Sequence, residues 1–382
     1  MDFELNDDQK MIRQMVRDFA EEKVRPGVAK RDEEERFISD LLPGLAELGL
    51  LGMVTPEAYG GSDLDDVSYA IAIEELARVC PSTAVTVSVT NSVCQEPILR
   101  FGNEAQKRRF LPPLAKGEVL GGFCLTEPGA GTDASSLQTR AVKSGDRYIL
   151  NGAKAWITNT HVGKVFVVMA VTTPGMGTKG VSAFIVTPDL PGFSFMPHEK
   201  KMGLRASITS GVAFEDCPVP AENLLGKEGE GLKIALATLE VSRIGIAAQA
   251  VGIAQGAFEE AVKYSKERQT FGQPIANHQA IGFMISDMAT QIEAARLLTR
   301  RAAAMRASGG GPGQSKASSM AKLYASEAAK AVCDTAVQIH GAYGFSREYA
   351  VERFYRDVRV TTIYEGTSEV QRMVIARALL RE

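Results

Sequence analysis

The sequence predicts an α+β chain: an N-terminal helical domain, a central antiparallel β-sandwich or barrel, and a C-terminal four-helix bundle. Three observations carry this expectation. Apolar residues recur at helical spacing through the first part, short β-rich runs bounded by turn residues follow, and long alanine-rich helical stretches take over after Pro218, Val219 and Pro220. The expected domains are therefore 1–118, 119–220 and 221–382. Length and composition agree, since 382 residues at 45% hydrophobic and 23% charged suit two or three domains with sizeable cores.

Taken in order, Asn6 can cap a helix carrying Met11, Ile12, Met15, Val16 and Phe19 at helical spacing, which Pro26 and Gly27 should break. Further helices are expected at 63–79, 82–101 and 103–116, separated by Pro81 and by Phe101 and Gly102. Strands are expected over 119–125, 147–150, 165–171, 181–186 and 211–214, with turn signals at Ser144, Gly145 and Asp146 and at Asn151 and Gly152. The last part reads as helices over 229–266, 278–307 and 316–341, with the GGGPG run at 309–313 as a connection.

Several function classes are disfavoured. A net charge of -3 and a pI near 6.0 give no electrostatic footprint for nucleic acid or anionic lipid. The longest unbroken apolar run, 165–171, falls short of the roughly 18 residues a membrane span needs. The acidic N-terminus lacks a hydrophobic signal core, so a soluble, cytoplasmic chain is expected. Cys80, Cys94, Cys124, Cys217 and Cys333 form no CxxC pair, and His161, His198, His278 and His340 form no metal-binding pattern, so neither disulfide nor metal is expected. Residues 175–180 match GxGxxG and 129–134 match GxGxxA, but no helix follows either, which argues against a dinucleotide fold. Residues 172–180 read instead as a hairpin loop, while 129–132 can offer backbone donors to an anion or a ring edge.

Five segments carry chemistry. In FCLTEPGAGTD, 123–133, a strand ends in Thr126 and Glu127 and opens into a small-residue loop suited to a flat polar heterocycle. In KAWITN, 154–159, strand alternation puts Trp156, the only tryptophan, on one face with Thr158. Such a pair is either an aromatic plate with a hydroxyl beside it or a core residue and a β-former. In RQTFG, 268–272, Arg268 stands at a helix end, where it serves either a pyrophosphate or the helix's terminal carbonyls. QIHGAYG, 338–344, ends a helix in small residues. In IYEGTSEVQR, 363–372, Ser368 and Gln371 make a candidate capping box, leaving Glu365 in a turn beside Ile363 and Tyr364. A carboxyl in apolar surroundings can act as a general base, and an exposed turn glutamate is the plainer reading.

Together, in this order and spacing, these segments resemble the acyl-CoA dehydrogenase flavoproteins, most closely the short-chain, butyryl-CoA type. The resemblance implies FAD, an acyl-CoA substrate, an electron-transfer flavoprotein as acceptor and a homotetramer. It implies that Phe123, Leu125, Thr126, Gly131, Thr132, Trp156, Ile157 and Thr158 meet the flavin, Thr132 also lying near CoA. Arg268, Phe271, Gln279, Gln338, Ile339, His340, Gly341 and Ala342 would reach the FAD of a neighbouring subunit, with Thr367 and Glu369 touching FAD again. Glu365 matches the catalytic base, and Glu240, Arg243 and Gly366 the substrate site. Two departures stand out: Ala342 replaces a second glycine, and Ser242 occupies the place where some members carry the base. The rival expectations are an acyl-CoA oxidase on the same scaffold, disfavoured by the absence of an extra C-terminal domain, and a non-catalytic member that binds nucleic acid or a partner.

Overall fold

The computed structural model describes residues 4–381. The first part is helical: α1 (Asp7–Phe19), α2 (Val28–Glu33), α3 (Leu42–Glu47), α4 (Asp66–Val79), α5 (Pro81–Val89), α6 (Glu96–Phe101) and α7 (Glu104–Ala115). Asn6 caps α1 in a full capping box with Gln9. Pro26 does not break the helical path. The coil widens into a π turn over Ala20–Val24, where the Arg25 N–H reaches back to Ala20, and a 3₁₀ turn then carries the proline into α2. That widening accommodates the ring and the missing N–H, which a regular α-helix does not. A second π turn, Thr90–Gln95, joins α5 to α6.

The central part holds β1 (Leu120–Cys124), β2 (Arg140–Ser144), β3 (Arg147–Thr158), β4 (Gly163–Val171), β5 (Val181–Val186), β6 (Phe193–His198), β7 (Thr209–Pro220) and β8 (Leu224–Leu225). The sheet order is β6-β7-β3-β2-β4-β5-β8, with β1 also on β4. Most pairings are antiparallel as expected, but β1 runs parallel to β4, Phe123 opposite Val167, and β2 meets β4 in parallel at Arg140 and Val171. The intervening β2–β3 hairpin supplies the long crossover a parallel pair requires. Residues 172–180 do form the loop between antiparallel β4 and β5. Asn151 and Gly152, a turn signal by composition, instead lie within β3 at a bulge. There Gly152 has φ +144, and a Cβ would stand 2.6 Å from the Thr139 backbone. The edge strand β6 was not anticipated, because its Pro197 and irregular pattern hide it.

The last part consists of α8 (Gly231–Glu267), a small hairpin of β9 (Gln269–Thr270) and β10 (Gln273–Pro274), α9 (Gln279–Ala307), α10 (Gln314–His340), α11 (Ala350–Val358) and α12 (Ser368–Arg381). By length and composition α8 would pass for a membrane span, but 78% of its most apolar window is buried within the protein. Glycines 252 and 256 on α8 let α4 come close: a Cβ at either would sit 2.3 Å from a carbonyl oxygen of α4. One core therefore joins the two helical parts, with Ile73 and Leu76 of α4, Ile244 and Val251 of α8, Ile292 of α9 and Val332 of α10. The sheet docks through a second cluster that includes Leu114, Val167, Ile185 and Ile234. The five cysteines are free and buried.

Candidate active site

Glu365 sits in the five-residue connection, 363–367, between a 3₁₀ turn, Arg359–Thr362, and α12. Two consecutive residues there have positive φ, +53 at Glu365 and +95 at Gly366. For a glutamate that conformation costs energy and persists only where neighbours enforce it. The expected box of Ser368 and Gln371 does not form; Thr367 caps α12 instead, its hydroxyl accepting the Val370 N–H at 3.3 Å. Gln371 is thereby released to turn back, its Nε2 donating to the Gly366 oxygen at 2.9 Å and the Glu365 oxygen at 3.3 Å.

The Glu365 side chain lies against α8 and α10. Its Oε2 is buried and, among the described residues, has no hydrogen-bond partner. Burial pushes its carboxyl above the usual range; the Ser242 hydroxyl, Lys322 and Arg243 pull the other way without cancelling that effect. Arg243 is buried as well, donating to Ser319 Oγ at 3.3 Å with its Nε unpartnered, and burial lowers its pKa against Glu365 and Glu240. Thus Glu365, Gly366, Arg243 and Glu240 do come together, and Ser242 joins them. Sequence reasoning missed Lys322, which is fully buried on α10 and donates to the Gly366 oxygen at 2.6 Å. Its one sequence signal is position, because it falls on the helical stripe of Ser318, Ala321, Ala325 and Ala329, all buried.

Beside the base, Val85, Val89, Val93 and Leu204 form an apolar cluster onto which Phe123, Val360 and Tyr364 pack. Tyr364 is fixed by donating to Gln249, which itself donates to the Pro81 oxygen at 3.0 Å. Gln95 and Glu96 face away. Gln95 is saturated by Thr55 and Leu51, and Glu96 pairs with Arg306 at 2.8 Å.

Phe123 links that cluster to the loop after β1. Within the loop, the backbones of Glu127 and Ala130 exchange hydrogen bonds of 3.0 and 3.1 Å around Pro128 and Gly129. Beneath it, Lys154 and Glu127 form a buried ion pair at 2.7 Å; Lys154 also donates to Leu125 O, and Glu127 accepts the amides of Gln138 and Thr139. Burial works to raise the Glu127 carboxyl, but Lys154 and those donors hold it below the usual range. The Ala155 N–H donates to Thr126 O at 2.9 Å, which ties the loop to β3. Between Lys154 and Ile157 the strand bulges, Trp156 takes φ +61, and its indole is 61% exposed while Ile157 turns into the sheet core. The reading of Trp156 as a core residue is therefore excluded. Leu125 and Ile157 are buried, so they can offer a ligand mainly backbone, whereas Gly131 and Thr132 are exposed and Thr126 and Thr158 half-buried. An exposed indole beside a loop where Gly129 and Gly131 have no atom within 4 Å of a built Cβ suits a flat cofactor.

The remaining assigned residues form a second group. Phe271 and Gly272 are the tip of the β9–β10 hairpin, with φ +52 and +79, and Phe271 is 96% exposed. The Arg268 guanidinium lies 5.5 Å over the Tyr343 ring, and among the described residues it makes no hydrogen bond to the terminal carbonyls of α8. Gln279, Gln338, Gly341 and Ala342 are exposed, but Ile339 and His340 are buried. The His340 ring stacks on Tyr264, and its Nδ1 lies 2.8 Å from Ala336 O. Arg243 and Arg268 belong to the same helix and its end, so by helix rise they stand about 37 Å apart. Thr367 and Glu369 lie at the start of α12, beside the base turn.

The three-part helix–sheet–helix chain, with a glutamate carboxyl set among buried cations, is assigned to its class by comparison with known proteins. Family models for the N-terminal, middle and C-terminal domains of acyl-CoA dehydrogenase match residues 6–118, 122–217 and 229–380. The chain belongs to the acyl-CoA dehydrogenase family and is an oxidoreductase acting on CH–CH bonds. It is 47% identical over 381 residues to the short-chain specific acyl-CoA dehydrogenase of Clostridium acetobutylicum, covering 100% of both chains. The solved butyryl-CoA dehydrogenase of Megasphaera elsdenii superposes with a TM-score of 0.98 at 47% identity, covering 100% of both chains. A chain in a structure described as the electron transferring flavoprotein of Acidaminococcus fermentans has a TM-score of 0.98 and 50% identity, again covering 100% of both.

Proposed function

We propose that this chain is a cytoplasmic, FAD-dependent dehydrogenase that converts a short-chain acyl-CoA thioester to the trans-2-enoyl-CoA, passing electrons to an electron-transfer flavoprotein. The observation that carries this reading is the buried, half-satisfied Glu365 carboxyl, held beside an apolar cluster. Its raised pKa makes it a stronger base than a solvated glutamate, and its unpartnered Oε2 is an acceptor free for a substrate proton. Glu365 removes the α-proton of the thioester. Phe123, Tyr364 and the valines of α5 exclude water around the acyl chain, which strengthens the hydrogen bonds that stabilise charge on the thioester oxygen. That cluster carries no charge, which favours an unsubstituted acyl chain over a dicarboxylic one. When bound, FAD supplies the hydride acceptor at its N5. Trp156, Thr126, Gly131, Thr132 and Thr158 would hold its ring, and Thr367 and Glu369, at the start of α12, would contact it again.

Homotetramer formation follows in the same reading. Arg268 stands about 37 Å from Arg243 along α8, and Gln338 about 24 Å from Lys322 along α10, so in this reading Arg268, Phe271, Gln338, Gly341 and Ala342 serve the cofactor of another copy. The domain divisions at 118/119 and 220/221 complete the proposal.

The test is an anaerobic titration of purified protein with butyryl-CoA, following the flavin band near ~450 nm. Bleaching at about one equivalent per flavin is the expected outcome. Bound flavin that does not bleach refutes the substrate, and a chain that binds no flavin refutes the catalytic reading.

A further inference from the structure

The mechanism above uses Glu365 and gives no task to the two buried cations beside it, of which Arg243 donates to a side chain and Lys322 only to backbone. Lys322 is fully buried, yet among the described residues no carboxylate stands within ion-pair distance of it, and its single hydrogen bond goes to a backbone carbonyl, Gly366 O, at 2.6 Å. An ammonium has three donors and a high desolvation cost, so a lysine spent on one carbonyl inside an alanine-rich helix calls for a reason. The carbonyl it holds belongs to the turn that aims the base. Gln371 Nε2 grips the same oxygen at 2.9 Å, and Glu365 and Gly366 are both left-handed there.

We propose that Lys322 is the positioning residue of the base: its ammonium pins the Gly366 carbonyl, keeps the Glu365 turn in its strained conformation, and places a positive charge beside the carboxylate. This rests on the dehydrogenase reading and deepens it. Of the two cations acting on Glu365, Lys322 contributes more than Arg243. Burial brings Lys322 itself down to about 8, against the pull of Glu365, with Arg243 lowering it further and Glu369 and Glu327 raising it. The other groups facing this site are Glu240 on α8, Tyr364 before the turn and Tyr69 on α4, whose pKa values burial raises in the two tyrosines. None of these supplies a further cation.

The sign of the effect is fixed. A base must be ionised to act, so the rate of flavin reduction rises with pH through the Glu365 pKa. A neighbouring cation moves that limb down, and removing it moves the limb up.

The experiment uses the FAD-loaded protein and stopped-flow bleaching by saturating butyryl-CoA from pH 5 to 9, on the wild type, Lys322→Met and Lys322→Arg. FAD content and oligomeric state are measured alongside as controls for folding. In Lys322→Met the expected result is a reduction rate at least tenfold lower, KM within about twofold, and an acid limb displaced upward by about half to one pH unit. Lys322→Arg restores the position of the limb, which a purely structural role would not require. An acid limb at the wild-type pH in folded, FAD-loaded Lys322→Met overturns the proposal. If that variant does not fold, Lys322→Gln, a neutral polar side chain, must show the same displacement. Wild-type protein that does not bleach refutes the dehydrogenase reading and this inference together, whereas bleaching with an unmoved limb refutes this inference alone.

Discussion

The two sides of the candidate site are built differently. Around Glu365 a single chain completes the surroundings: Arg243 and Lys322 are buried, and the turn is gripped from α10 and α12. Around Trp156 and the 126–132 loop the surface is open, with an exposed indole and glycines that no atom approaches. Phe271, Tyr343 and Phe345 are open in the same way at the far end of α8. The difference teaches that the proton chemistry proposed here is preorganised inside one chain, where fixed groups aim and desolvate the base. The open surface, in the reading proposed above, waits for its cofactor and for a second copy to supply the missing contacts.

The sharpest test of the closed side is Glu365→Gln, which should keep FAD and slow flavin reduction by butyryl-CoA on the order of 10²–10⁴-fold. Normal bleaching in that variant would move the base elsewhere. On the open side, Lys154→Met asks whether the loose surface has a rigid foundation. It strands Glu127 in the interior, and loss of about 3–5 kcal/mol in denaturant unfolding is expected. A change under ~1 kcal/mol would mean that the loop and its pair are dispensable to the fold.

A third variant probes the wall of the closed side. Asp357 is buried and accepts the Leu204 N–H at 2.6 Å, and burial raises its carboxyl to about 7. The folded state therefore binds this proton more tightly than the unfolded one. Its contribution to stability is present below about pH 4 and is lost as pH rises through about 7, by no more than about 4 kcal/mol. Asp357→Asn keeps the acceptor and should flatten the decline of melting temperature over that window; an unchanged slope would show that another group titrates. The smallest expected effect lies at the open far end. Arg268→Ala should weaken FAD retention by about 1.5–3 kcal/mol, read as lower flavin content after dialysis. Full retention would remove Arg268 from the cofactor group.

Much of this was legible. The helices of 63–116 and the three long C-terminal helices follow from apolar spacing, Pro81 and the GGGPG connection, and β5 falls where its β-branched run lies. The site motifs could be read because each concentrates residue types that chemistry needs. What escaped the sequence is conformation imposed by partners distant along the chain. Trp156, Phe271 and Glu365 all take positive φ, which no local preference of these residue types suggests. Pro26 passes within a helical path because a π turn precedes it, and Gln371 leaves its box because the turn carbonyls recruit it.

By itself the sequence determined the helix–strand–helix order of the three parts and the identity of the reactive groups, because periodicity, capping and side-chain chemistry are properties of neighbouring residues. Tertiary structure alone decided the parallel pairing of β1 with β4, the exposure of Trp156 and the burial of Lys322 beside Glu365. Each depends on which surfaces meet, and for a charged or strained residue only the partners it meets offset the cost of its position.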